Sequence, residues 1–104
     1  QLISRKTLDW MTANHIPDHM MPLTVGLEVL DHGFGLGFST VDDLGQADTL
    51  KSVGEFGWGG AAKTFFWVDP AEELVGLFLS QYLPTLPYPV VDRFHNLVDQ
   101  AIVD

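Results

Sequence analysis

Two runs rich in β-forming residues, AAKTFFWV at 61–68 and LVGLFLSQY at 74–82, stand on either side of Asp69, Pro70 and an acidic tip at Glu72 and Glu73. Aromatic and β-branched side chains fit a pleated surface, while Pro and Asp interrupt it. The spacing therefore predicts an antiparallel hairpin with a short loop. The rest of the chain has to be arranged around that hairpin.

A further strand is predicted over 33–41, GFGLGFSTV, where glycine alternates with Phe34, Leu36 and Phe38 in a two-residue period. Glycine at every second position weakens a strand and marks close approach by another backbone, ring or ligand. A dinucleotide-binding turn spaces its glycines differently, so no phosphate loop is read here. The segment SRKTLDWMTANH predicts a first helix with Ser4 as N-cap, Leu8 and Met11 on one face, and Pro17 as its stop. Residues 16–24, with two prolines and no period, read as an irregular connection, and 41–55 as a polar one with turn signals at Asp42 to Gly45.

After a proline-rich bend at 83–89, Val90, Val91, Phe94, Leu97, Val98, Ala101 and Ile102 follow the three-and-four spacing of one helical stripe, with Pro89 suited to the helix start. The expected fold is α+β: a helix, three antiparallel strands and a C-terminal amphipathic helix packed on the sheet. A length of 104 residues fits one segment, 1–104, within a single domain.

Charge and composition exclude several functions. The net charge is -9, and the five basic residues, Arg5, Lys6, Lys51, Lys63 and Arg93, are scattered, so no clustered basic face exists for nucleic acid. Without cysteine there are no disulfides, thiol nucleophiles or thiolate metal sites. No apolar run reaches the roughly 20 residues of a membrane span. The chain starts at Gln1 without the order of regions of a signal peptide, and is expected to be processed or cut from something longer. The compartment is left open.

His15 and His19, with Asp18 between them and Asp31 and His32 beyond, have the residue types of a zinc site. Pro17 breaks the helix that would align them, so they are read as loop and cap residues, and no metal or cofactor is expected. None of Ser4, Ser39, Ser52 and Ser80 lies in G-x-S-x-G or S-x-x-K, so the chain itself carries no recognisable nucleophile. The stretch GEFGWGGAAKTFFWVDP brings bare backbone and large rings together. A strand beginning Trp58-Gly59-Gly60-Ala61 offers backbone N–H groups without side-chain cover, as an oxyanion hole requires. The alternative is a glycine bulge that lets Trp58 fold over the core.

LISRKTLDWMTANHIP, GFGLGFSTV, GEFGWGGAAKTFFWVDP and LVGLFLSQYLP, in this order and spacing, resemble the C-terminal part of the serine hydrolases related to class C β-lactamases. That group includes the family VIII carboxylesterases and penicillin-binding-protein-like enzymes, and the resemblance runs over nearly the whole chain. It implies an enzyme of an α/β sheet domain and a helical domain, working through an acyl-serine intermediate without a cofactor. The S-x-x-K nucleophile pair and the Y-x-N or Y-x-S tyrosine would belong to a part preceding this segment. The third motif, K-T-G in many members and W-G-G or H-T-G in esterase-like ones, falls on Trp58, Gly59 and Gly60, and Ala61 would lend its N–H to the oxyanion hole. A rival register beginning at Lys63-Thr64 puts Phe65 where glycine must leave room for substrate. Lys63 itself stands where members of the family often have glycine.

Two functions follow as expectations. One is a C-terminal piece of an ester- or amide-hydrolysing, β-lactamase-related enzyme, inactive alone and partnered by the N-terminal remainder of that enzyme, with a small-molecule ester or amide as substrate. Trp58 in place of the K-T-G lysine removes the cation that would meet a β-lactam carboxylate, which favours substrates without that anion. The other is a non-catalytic, self-associating or ligand-binding module of the same fold, partnered by a second copy.

Overall fold

The computed structural model describes residues 2–25, 28–30, 33–47, 49–82 and 89–103. In chain order these form α1 (Arg5–Met11), a 3₁₀ turn (Asp18–Met20), β1 (Leu23–Val25), β2 (Glu28–Leu30), β3 (Ser39–Thr40), a second 3₁₀ turn (Leu44–Gln46), β4 (Phe56–Gly60), β5 (Thr64–Asp69), β6 (Leu74–Phe78) and α2 (Val90–Gln100). The chain is α+β. Its main sheet is antiparallel with four strands in the order β3-β4-β5-β6, and β1 and β2 form a separate antiparallel pair. The proline-rich bend at 83–88, and Asp31 and His32, lie outside the described residues.

The predicted hairpin is present as β5 and β6, in a register that sets Trp67 opposite Gly76 and Asp69 opposite Leu74. Its tip closes where the Asp69 side chain accepts the Glu72 N–H at 3.1 Å, with Glu73 in the left-handed region at φ 53. The strand expected over 61–68 begins only at Thr64. Trp58, Gly59 and Gly60 end a strand of their own, β4, which adds one strand to the three expected. Between the two strands, residues 61–63 turn, with Lys63 N–H donating to Gly60 O at 3.2 Å and Lys63 at φ 60. That backbone conformation is the one glycine adopts without strain, which accounts for glycine being the easier residue there.

The strand expected over 33–41 is corrected to a two-residue β3 preceded by a tight loop. Phe34 bridges back to Ser39, Gly35 N–H donates to Phe38 O at 2.7 Å, and Gly37 takes φ 109. The alternating glycines do mark a close backbone approach. A Cβ on Gly35 would collide with the carbonyl of Met11, and Leu36 N–H donates to that same carbonyl at 2.8 Å. The period of two arises from packing on the end of α1 and not from an extended strand.

Ser4 caps α1 as expected, its hydroxyl accepting Thr7 N–H at 3.1 Å. The helix stops at Met11, well before Pro17, because Asn14 offers the backbone a competing set of bonds: its Oδ1 accepts from Ile16 N–H at 2.9 Å and Phe34 N–H at 3.1 Å. Leu23 and Thr24, expected in an irregular connection, pair instead with Leu30 and Val29.

Alternation along the strands gives the main sheet two faces. One carries Phe65, Trp67 and Asp69, with Phe78, Gly76 and Leu74 across from them, and α2 packs there. Trp67 is 1% exposed, with its ring 5.7 Å from Phe94 and 4.2 Å from His95 of α2, centroid to centroid. The other face carries Phe56, Trp58 and Phe66, covered by Phe38 at 5.2 Å from Phe56 and by Phe34 at 5.4 Å from Trp58. The apolar stripe expected of α2 is only partly used. Leu97 is 65% exposed, and the buried residue of the helix is His95, because the helix is turned to present its polar pair to the sheet.

Candidate functional site

β3 pairs with β4 only at Gly57 and Phe56, and the chain before Ser39 turns away through the 34–39 loop. Among the described residues, the end of β4 from Trp58 onward therefore has a strand on its β5 side alone. Gly59 and Gly60 are exposed there and Trp58 is half-buried. Gly57, by contrast, is buried against β5, where a Cβ would strike the Phe66 carbonyl. A Cβ on Gly60 would meet only the side-chain oxygen of Thr64, at 2.6 Å, a group that can rotate away.

Ala61 follows on the turn. It is exposed, and among the described residues no group accepts its N–H. The turn is held from below by the segment after β6. Ser80 Oγ lies 2.9 Å from Ala62 O and 2.7 Å from Lys63 O, and Tyr82 N–H donates to Ala62 O at 3.1 Å. Gly59, Gly60 and Ala61 thus form one continuous strip of exposed backbone running from half-buried Trp58 onto a supported turn. Ser80 was considered in the sequence only as a possible nucleophile. Its role as a support comes from pairing between β5 and β6, which brings residue 80 under residues 62 and 63.

A second polar cluster sits on the α2 side of the sheet. His95 Nε2 lies 2.6 Å from Glu55 Oε1, and His95 Nδ1 lies 3.3 Å from Asp99 Oδ2. The side chains of Glu55, His95 and Asp99 are only 4%, 4% and 11% exposed. Ser52 Oγ donates to Asp69 Oδ2 at 2.6 Å, and Ser52 N–H donates to Glu55 Oε2 at 3.4 Å. Burial pushes the Asp99 carboxyl above its ordinary value; His95 opposes the shift, while Glu55, Asp69 and Glu72 add to it. Asp99, Asp69, Glu72 and Ser52 line a cavity of about 280 Å³, to which Lys51 also contributes. The sequence carried one signal for this cluster, His95 and Asp99 four apart on a predicted helix. Glu55 and Asp69 could not be joined to it before the strand order was known.

Among the described residues, His15, Asp18 and His19 do not come together as a metal-holding group. His15 lies 2.7 Å from the Trp10 carbonyl through Nε2 and meets the Trp10 ring edge-on, while His19 sits exposed in the first 3₁₀ turn. No helix among the described residues is long and apolar enough to cross a membrane.

No family model matches the chain. It is similar to the Uncharacterized protein MT1414 and to Protein Rv1367c of two strains of Mycobacterium tuberculosis, each 39% identical over 57 residues, 52% of this chain and 14% of that protein. It is also similar to Acyltransferase calJ of Penicillium decumbens, 36% identical over 67 residues, 64% of this chain and 15% of that protein. The chain therefore spans only 14% to 15% of the length of these curated relatives.

Proposed function

We propose that this segment supplies the oxyanion strip of a β-lactamase-related serine hydrolase or acyltransferase, which forms an acyl-serine on a nucleophile lying outside these 104 residues. The observation that carries the reading is the N–H of exposed Ala61, unaccepted among the described residues, at the end of a glycine-bare strand and on a turn fixed by Ser80 and Tyr82. Donors aimed at the place where charge develops are effective because they need no rearrangement when the reaction occurs. The similarity to a protein named as an acyltransferase agrees with transfer through an acyl intermediate. In this role Trp58, Gly59 and Gly60 leave an ester or amide carbonyl room to lie against the strand, and the Ala61 N–H donates to its oxygen. The remainder of the enzyme, or a second copy of the chain, is the proposed partner.

The test uses the protein at its natural length, with p-nitrophenyl esters as substrate. Gly60→Val should lower kcat by about a hundredfold or more, and Lys63→Ala only mildly. The fold should tolerate the Gly60 change, because only the Thr64 side chain stands in its way. Ser80→Ala should lower kcat less than Gly60→Val, by loosening the turn. Equal activity of Gly60→Val and the parent protein would refute the assignment. The 104-residue chain alone should show neither turnover nor an acyl adduct by mass spectrometry.

A further inference from the structure

Glu55 and Asp69 have their oxygens engaged, Glu55 by His95 and the Ser52 N–H, Asp69 by the Ser52 hydroxyl and the Glu72 N–H. Two buried atoms next to them do not: among the described residues, His95 Nδ1 and Asp99 Oδ1 have no hydrogen-bond partner. A carboxylate accepts, so the 2.6 Å contact to Glu55 places the neutral imidazole's proton on Nε2. Nδ1 then carries an unshared lone pair beside Asp99 Oδ2, 3.3 Å away, and leaving such buried acceptors without a donor or a cation is costly.

We propose that His95 Nδ1 and Asp99 bind a divalent transition-metal ion of the zinc type, with Glu55 as the outer carboxylate that fixes the histidine tautomer. Zinc bonds of about 2.0 to 2.1 Å in a tetrahedron put neighbouring ligand atoms about 3.3 to 3.4 Å apart, and the Nδ1 to Oδ2 separation is 3.3 Å without hydrogen-bond geometry. Metal-bound histidines characteristically give their other N–H to a carboxylate, which is the contact Glu55 makes. One ligand atom from each of Glu55, His95 and Asp99 can be chosen so that all lie within 4.8 Å of one another. The adjoining cavity of about 280 Å³ leaves room for water to complete the coordination, and on its wall the carboxylates of Asp69 and Glu72 outweigh the cation of Lys51. The inference does not depend on the acyl-transfer reading.

The experiment is calorimetric titration of Zn²⁺ into the natural-length protein stripped with EDTA, with thermal unfolding followed in parallel. One site is expected in the parent protein. Asp99→Asn should lose binding by tenfold or more, and Glu55→Gln should weaken it about 10- to 100-fold. A His15→Gln, His19→Gln double variant should bind as the parent does. Asp99→Asn also serves where His95→Ala fails to fold, since Asp99 lines the cavity and is the less deeply buried of the two. Absence of a Zn²⁺-dependent heat and melting shift in the stripped parent, undiminished affinity in Asp99→Asn, or loss of binding in the His15, His19 variant would each overturn the proposal.

Discussion

Gly76→Ala should be among the most damaging single-methyl changes available to this chain. Gly76 lies directly across from Trp67, and a Cβ built there would collide with Cζ2, Cη2 and Cε2 of the indole. The ring has nowhere to go, since it is 1% exposed and bounded by Phe94 and His95. Overpacking of this kind costs about 1 to 3 kcal/mol when neighbours can shift. Expulsion of a buried indole costs about 3 to 5 kcal/mol. A loss of about 2 to 4 kcal/mol is therefore expected, read by urea unfolding of the natural-length protein with tryptophan fluorescence and circular dichroism together. Trp67→Phe removes the atoms that collide, so the double variant should be destabilised by at least about 1 kcal/mol less than the two single changes added together. A Gly76→Ala loss under about 0.5 kcal/mol, or strict additivity with Trp67→Phe, would refute the packing argument.

Lys63→Gly and Glu73→Gly should each stabilise by about 0.5 to 1 kcal/mol, because both residues hold positive φ, 60 and 53, that L side chains disfavour; paired melting curves decide it. Ser4→Ala should destabilise α1 by about 1 kcal/mol through loss of the Thr7 N–H cap, measured by hydrogen exchange at residues 5–8. The 104-residue chain alone should associate at micromolar concentration in sedimentation equilibrium, since Val75, Leu77 and Leu79 are 70%, 60% and 70% exposed along β6; a single 11.5 kDa species would refute this.

The β5–β6 hairpin was legible because its alternation and its Asp-Pro tip are local, and the Ser4 cap for the same reason. The 33–41 segment misled because a period of two has two causes. Gly33, Gly35 and Gly37 look like one bare strand face, but Gly35 is bare to admit the Met11 carbonyl and Gly37 to allow a turn, and only the position of α1 distinguishes these. The end of α1 was placed at Pro17 because a side-chain competitor such as Asn14 is recognisable only once its distant partner, the Phe34 N–H, is in place. The α2 stripe was read by hydropathy, which favours Leu97 over His95. The structure reverses that order, since Glu55 reaches His95 from a loop 40 residues away in sequence and makes a buried imidazole tolerable.

β6 ties the two candidate sites together. Its inward glycine at 76 receives Trp67, whose ring stacks on the His95 imidazole at 4.2 Å between centroids, while its continuation at Ser80 and Tyr82 holds the turn that presents Ala61. Both attachments lie within a few residues, on β6 and the segment that follows it, so a displacement of β6 is felt at both. Among the described residues β6 is also the sheet edge, with its apolar row at 75, 77 and 79 facing water. Its position is therefore set from one side, by β5 and α2. A partner covering that row would add a second constraint and stiffen the Ser80 support beneath the turn at 61–63. Covering the row need not touch Trp58 to Ala61 to change how firmly that backbone is held, because the chain that carries the row runs on directly into the clamp.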